Sequence, residues 1–281
     1  MKISVIINTF NEEKNIKNCL ESVKWADEIV LVDMYSEDKT VEIARKYTNK
    51  IFFHERVGYA DPARQFALEE TSNKWILAVD ADELVTYKLK CKIDEIASND
   101  SADVVYVPRK NYFSGRKING MGWGALDDSQ PRFFKRDHMN FGDRIHDFFE
   151  IEDTSRICRI NNPEECFIHL PFPDFDHYIE RMNKYTTIEA QSIFEGKKEK
   201  RYLFKLLLLT LWRTFKEIIL FKWYKDDFRG ISIGFFAIYY CIISYIKLKL
   251  MEVYNSKFPE DKVNQEYKKI VDNILEEYEK Y

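Results

Sequence analysis

Trp75-Ile-Leu-Ala-Val-Asp80-Ala81-Asp82-Glu83 is a short apolar run that ends in two carboxylates one residue apart, with a third acid behind them. An uninterrupted apolar run of this length reads as a strand buried on both faces of a sheet. Carboxylates are costly to bury without partners, so the pair is expected at the strand's exit, facing a ligand or a cation. Hard oxygen ligands at this spacing suit Mg²⁺ or Mn²⁺ carrying a diphosphate. Asp-x-Asp alone also caps helices and fills loops. Its meaning depends on what precedes it.

What precedes it alternates strand and helix. Lys2–Asn8 is β-branched and apolar, and Asn11 is expected to cap a helix reaching about Val23, with Glu12 and Glu13 in its first turn. Strands are expected at Glu28–Asp33, Lys50–His54 and Ala102–Pro108. Helices are expected at Lys39–Tyr47, at Thr86–Ala97, and from Asp61-Pro62 to about Glu70. The rhythm predicts an α/β fold, a mainly parallel sheet covered on both faces. Ligands then sit beyond the carboxyl ends of the strands. Asn8–Asn11, Asp33 and Asp80–Asp82 all fall there. Loop capping explains any one of these clusters but explains all three poorly.

The 281 residues suffice for one large domain or a domain with an appendage. A net charge of −4 argues against a nucleic-acid binder. Cys19, Cys91, Cys158, Cys166 and Cys241 are odd in number with no Cys-x-x-Cys, which fits reduced thiols. Met1-Lys-Ile-Ser-Val enters a strand pattern with no apolar leader or cleavage site, so the main domain is expected in the cytoplasm.

Beyond Asn111 the pattern changes. Gly115, Gly120, Gly122 and Gly124 punctuate a loop, Gln130–Lys135 reads as a strand, and Arg144-Ile-His146-Asp147 follows. This half is expected to build the acceptor side, within a domain spanning 1–175. Residues 176–281 form a helical region. Its segment Lys197–Lys225 carries nine Lys/Arg against two Glu, +7 in all, leaving −11 for the rest of the chain. Arg201, Lys205, Arg213 and Lys216 share one helical side opposite apolar and aromatic residues. That pattern fits a helix on an anionic membrane surface, or one packing on its own domain or on a second copy. Ile231–Ile246 is free of charge, yet its 16 residues fall short of the roughly 20 needed to span a bilayer. It is expected to be a buried or interfacial helix.

At this point the motifs resemble a known family. Val5-Ile-Ile-Asn-Thr-Phe-Asn11-Glu-Glu, Ile29-Val-Leu-Val-Asp33-Met-Tyr-Ser36-Glu-Asp38-Lys-Thr40, Gly58-Tyr-Ala-Asp-Pro-Ala-Arg64-Gln65 and Asp80-Ala-Asp82-Glu resemble, in order, the nucleotide-binding motifs of family 2 glycosyltransferases, which have the GT-A fold. Asn111-Tyr-Phe-Ser-Gly-Arg116, Gly122-Trp123, Gln130-Pro-Arg132-Phe and Arg144-Ile-His146-Asp147 resemble a subgroup. It contains lipopolysaccharide-core β-1,4-glucosyltransferases and relatives that glycosylate peptide cysteines. Met34 and Tyr35 stand where that subgroup has small residues, which alters how the nucleotide base is gripped.

The resemblance implies a nucleotide-sugar donor, UDP-linked, and a glycan or glycolipid acceptor. It implies that Thr9, Phe10, Asn11 and Glu12, with Asp33, hold uracil and ribose, and that Arg64 faces the pyrophosphate. Asp82 would bind Mn²⁺ or Mg²⁺, with Asp80 beside it on ribose or a metal-bound water. Asp147, or Asp128 as the second candidate, would deprotonate the acceptor, and direct displacement would invert the anomeric centre. Trp123 stacks on acceptor sugar or packs in the core. His146 is a ligand, a base partner or a core residue, and His169 and His177 read as structural. Two rivals compete. A sugar-phosphate nucleotidyltransferase would open with a glycine-rich basic loop, whereas Asn8-Thr-Phe-Asn-Glu-Glu is acidic and lacks glycine. A non-catalytic sugar-nucleotide-binding scaffold is the other.

Overall fold

A seven-stranded sheet organises the first half of the chain. In the computed structural model, residues 1–55, 61–120, 122–141, 149–196, 208–212, 215–216 and 223–279 are described. Two compact units emerge, Met1–Pro173 and Asp174–Tyr281.

In the first unit, β1 (Ile3–Thr9), β2 (Glu28–Asp33), β3 (Ile51–Phe53) and β4 (Trp75–Asp80) are mutually parallel in the order β4-β1-β2-β3. The apolar run that opened the sequence is β4, and Trp75 through Val79 are buried. β6 (Val104–Val107) and β9 (Gln130–Lys135) extend the sheet, β9 lying antiparallel to both β4 and β6, with β12 (Ile157–Arg159) at the edge. Trp75 stacks on Phe133 with ring centres 4.6 Å apart, packing β4 against β9.

Helices cover this sheet as their spacing dictates. α1 (Ile16–Val23) buries Ile16, Cys19, Leu20 and Val23, the 3.6-residue stripe of an amphipathic helix. α2 is Thr40–Ala44 and α3 is Asp61–Glu69. α4 (Tyr87–Asn99) is capped by Thr86, whose hydroxyl accepts from the Leu89 N–H at 3.2 Å.

A second, four-stranded sheet was not foreseen. It runs β5 (Glu83–Val85), β13 (Phe167–Phe172), β7 (Arg109–Phe113), β8 (Arg116–Lys117). β7 and β8 form a hairpin across Ser114 and Gly115, with φ of +45° and +77°, the two left-handed positions of a tight two-residue turn. Asn111 therefore lies within a strand, not in the loop its glycine-rich surroundings suggested. β10 (Met139–Asn140) and β11 (Glu150–Ile151) form a separate antiparallel pair.

Asn11 is not a helix cap. α1 begins at Ile16, and Asn11 has a left-handed φ of +55° because its backbone and side chain bind the neighbouring loop.

In the second unit, α5 (Phe175–Phe194) is capped by Asp174, which accepts from the His177 N–H at 3.0 Å. α6 spans Asp227–Tyr254 and α7 spans Glu260–Glu279. α6 corrects the expectation of a 16-residue helix. Charged residues at both ends continue it to 28 residues, long and apolar enough to cross a membrane. Asp147 with His146, and most of Lys197–Lys225, fall outside the described residues.

Candidate active site

Two loops at the carboxyl ends of β1 and β2 are sewn together by polar side chains. The Asn11 N–H donates to Ser36 Oγ at 2.8 Å, and the Ser36 hydroxyl donates to Asp33 Oδ1 at 2.6 Å. The Ser36 N–H takes Asp33 Oδ2 at 2.7 Å, and the Glu37 N–H donates to Asn11 Oδ1 at 2.8 Å. The Glu12 N–H reaches Thr40 Oγ1 at 2.8 Å. Thr9, Phe10, Asn11, Glu12 and Asp33 thus lie along one rim at the ends of β1 and β2. Asp33 is fully buried. The Thr9 hydroxyl beside it is buried with no hydrogen-bond partner among the described residues. Such an orphan costs about 1–3 kcal/mol, which a ligand's polar atom can relieve.

Tyr35 lies between Asp33 and Ser36 with φ of +61°. Its ring is 59% exposed and stacks on Phe53, centres 5.6 Å apart. Phe53 pairs in register with Asp33 across β2 and β3, and Thr9 pairs with Asp33 on the other side. Thr9, Asp33 and Phe53 therefore form one row across three strand ends.

The two acids after β4 have separate surroundings. Asp80 receives Arg64 Nη2 at 2.5 Å on Oδ1 and Arg132 Nη2 at 2.8 Å on Oδ2. Burial works to raise its pKa, but Arg132 and then Arg64 outweigh it and hold the carboxyl well below the ordinary range. The Asp80 N–H donates to Glu83 Oε2 at 2.9 Å, and Glu83 Oε1 accepts from Arg109 at 3.1 Å. Arg109 then grips Asp128 with two bonds, of 2.8 and 3.1 Å. Arg64, Arg132 and Arg109 thus match Asp80, Glu83 and Asp128 charge for charge in one chain. Arg64 was expected on a pyrophosphate; here it meets Asp80.

Asp82 meets a histidine. His169 Nε2 lies 3.5 Å from Asp82 Oδ2, and His169 Nδ1 lies 2.6 Å from Asn111 Oδ1. The Asn111 amide donates to Asp128 Oδ2 at 2.7 Å and to the Trp123 carbonyl at 3.1 Å, which fixes its oxygen toward His169. Because that oxygen only accepts, Nδ1 is the ring nitrogen that donates to Asn111, and Nε2 is the one turned toward Asp82. An imidazole nitrogen and a carboxylate oxygen this close can be joined by a proton on Nε2 or by a cation that both ligate. Among the described residues no group of three or more His, Cys, Asp or Glu could hold a metal. Asp82 is nonetheless a carboxylate of the kind that Mg²⁺ or Mn²⁺ takes singly or in pairs, completing the shell with substrate phosphates and water.

The sequence alone reads His169 as structural. Its partner Asn111, together with Arg109, Arg132 and Glu83, was also assigned no role. Only strand alternation could have flagged them, because β5, β7 and β13 lack the continuous apolar run that marks β1, β2 and β4. Asp128 is half-buried behind Arg109, Asn111 and Gln130. Burial pushes its pKa up, yet Arg109 and these hydrogen bonds bring it below the ordinary value. Trp123 stacks on Phe172, ring centres 6.4 Å apart, which accords with core packing.

Three strand exits thus converge on an acidic pair and a polar rim. The profile of glycosyl transferase family 2 matches residues 4–155, more than half of the chain, and the chain belongs to that family. It is 26% identical over 240 residues to a glycosyltransferase of Rickettsia bellii, covering 82% of this chain and 80% of that one. It is also 26% identical over 218 residues to the lipopolysaccharide core biosynthesis glycosyltransferase LpsC of Rhizobium meliloti, covering 74% and 77%. Among solved structures, residues 1–349 of Staphylococcus aureus TarS in complex with UDP-GlcNAc align at 18% identity and a TM-score of 0.45, covering 94% of this chain and 92% of that one. The fold is GT-A, and the protein is a glycosyltransferase.

Proposed function

We propose that this glycosyltransferase moves a sugar from a UDP-sugar to a hydroxyl of a cell-surface glycan or glycolipid, inverting the anomeric centre by direct displacement. The observation that carries the reading is the division of labour after β4: Asp80 is neutralised by Arg64 and Arg132, while Asp82 faces His169 Nε2. Asp82 and His169 would hold Mn²⁺ or Mg²⁺, which when bound neutralises the leaving diphosphate as a Lewis acid. The Thr9–Glu12 loop and Asp33 hold the base and ribose, the Thr9 hydroxyl gaining the partner it lacks. Arg64 and Arg132 keep Asp80 ionised and supply fixed positive charge near the pyrophosphate. Asp147 removes the acceptor proton. Asp128, with its basicity lowered by Arg109, keeps Arg109 and Asn111 in place.

The acceptor class follows the named role of the LpsC relative in lipopolysaccharide core synthesis. A thermal-shift screen of nucleotide sugars with and without Mn²⁺, followed by product analysis, tests the reading. UDP-sugars with Mn²⁺ are expected to raise the midpoint most. Absence of stabilisation by any nucleotide sugar would overturn it.

A further inference from the structure

α6 carries a line of exposed apolar side chains from end to end. Phe228, Ile231, Phe235, Tyr239, Ile242, Ile246, Leu250 and Val253 are each between 38% and 75% exposed, and of these Phe228 also meets Phe175 of α5, ring centres 6.3 Å apart, so the outward face runs from Ile231. Their spacing is 3, 4, 4, 3, 4, 4 and 3 residues. That is an eleven-residue repeat, close to the period of a straight helix, so the line keeps to one side without winding. Helix geometry makes it about 37 Å long. Its area is on the order of several hundred Å², at or above the largest apolar patch of an ordinary monomer.

The remaining surface of α6 decides how such a face can be covered. Tyr240 donates to Glu189 of α5 at 2.6 Å. Lys247 donates to the Asn183 carbonyl and side chain and to Thr186 and Thr187, at 2.6 to 2.9 Å. Leu248 and Met251 pack with Ala190 of α5. α5 also carries Asp176, Glu180, Arg181 and Lys184. If α6 crossed a bilayer, it would draw this charged helix into hydrocarbon or break the bonds that join them, both at high cost. α6 is long enough to span, but its partner forbids it.

A lipid surface suits the face better than a second copy does. The segment Lys197–Lys225, just ahead of α6, carries +7 in a chain of −4. Pairing two copies would bring two such segments together, whereas anionic headgroups attract them. Trp212, Phe215, Tyr224 and Phe258, outside α6, are also more than half exposed, the aromatic character of residues that sit at headgroup level.

We propose that α6 lies flat in the headgroup region of an anionic membrane, its Ile231–Val253 line in the lipid and its opposite face on α5. Co-flotation of the full-length protein with phosphatidylcholine vesicles, with and without phosphatidylglycerol, tests this beside the triple variant Phe235→Glu, Ile242→Glu, Ile246→Glu. These three side chains are exposed, so the variant should keep its circular dichroism and thermal midpoint. Wild type should float with the anionic vesicles, less at high salt, and the variant's bound fraction should fall by about tenfold or more. Alkaline carbonate should release the wild type from cell membranes. The proposal is overturned if wild type does not float, if the variant floats equally, or if carbonate leaves the protein in the membrane, which would mean that α6 crosses it. It is equally overturned if wild type is a dimer in light scattering that the variant splits, which would make the face a subunit interface.

Discussion

His169 Nε2 stands 3.5 Å from Asp82 Oδ2, although 87 residues separate them in the chain. Strand pairing creates the contact. β13 runs antiparallel to β5 with His169 opposite Glu83, and the Leu170 N–H donates to the Asp82 carbonyl at 2.9 Å. A histidine held this way by Asn111 has its ring direction fixed, with Nε2 toward Asp82.

That geometry predicts a shared cation. Asp82→Asn and His169→Ala should each weaken Mn²⁺ binding, measured by calorimetry in the presence of UDP, by about 10- to 100-fold. Both should leave the thermal midpoint without metal close to wild type. Asn111→Ala should act in the same direction more weakly, through loss of the Nδ1 partner. Unchanged Mn²⁺ affinity in both primary variants would remove the metal from this pair.

Asp128 and Asp147 should separate by what each variant loses. Asp147→Asn is expected to keep UDP-sugar affinity and lose turnover by a factor on the order of a hundred or more. Asp128→Asn withdraws a carboxylate from the largely buried Arg109, so its main effect should be on stability, on the order of 3 kcal/mol in urea unfolding. Normal turnover in Asp147→Asn alongside an inactive but fully stable Asp128→Asn would move the base to Asp128. If both variants turn over normally, the acceptor is a group already ionised, such as a thiolate or phosphate.

How far the sequence could be read follows from the range of each interaction. β1 to β4 announce themselves because each is an apolar run ending in polar residues, and Asp33 and Asp80–Asp82 fall at their ends. Asn11 was misread because its left-handed turn is set by Ser36 and Glu37, more than twenty residues away. His169, Arg109 and Arg132 gained meaning only when the second sheet and β9 carried them to the acids. α6 outran its charge-free core because lysines on a helix flank do not end a helix.

Tyr35 offers a test of the donor subsite. Its left-handed backbone is costly for a residue with a Cβ, and its exposed ring stands with Phe53 beside the Asp33 row. If the ring stacks on the nucleobase, Tyr35→Ala should weaken UDP binding by about 5- to 30-fold, as expected for one base–aromatic contact. Tyr35→Phe should retain affinity. Tyr35→Gly should lose affinity as Ala does, yet be more stable than Ala by about 1 kcal/mol, because glycine accepts the positive φ. Equal UDP affinity in wild type and Tyr35→Ala, measured by calorimetry, would leave the ring a packing role only.

Glu28 predicts an acid-dependent weakness far from the chemistry. Its carboxylate, at the opposite end of β2 from Asp33, accepts from Lys50 at 2.6 Å, from the Ser72 N–H and hydroxyl at 2.8 Å, and from the Ser4 hydroxyl. Burial acts to raise its pKa, but the bonds from Lys50, Ser4 and Ser72 prevail and bring it from 4.5 down to about 2. A carboxyl whose folded pKa is depressed contributes stability that is complete above its unfolded pKa and is lost as pH falls toward the folded one. Wild type should therefore exceed Glu28→Gln in urea unfolding by on the order of 1–2 kcal/mol at neutral pH, the half-exposed Lys50 limiting the gain through solvent screening. The gap should stay level down to about pH 5 and narrow between there and pH 3. A gap that persists unchanged at pH 3 would mean that Glu28 acts through shape and not through its charge.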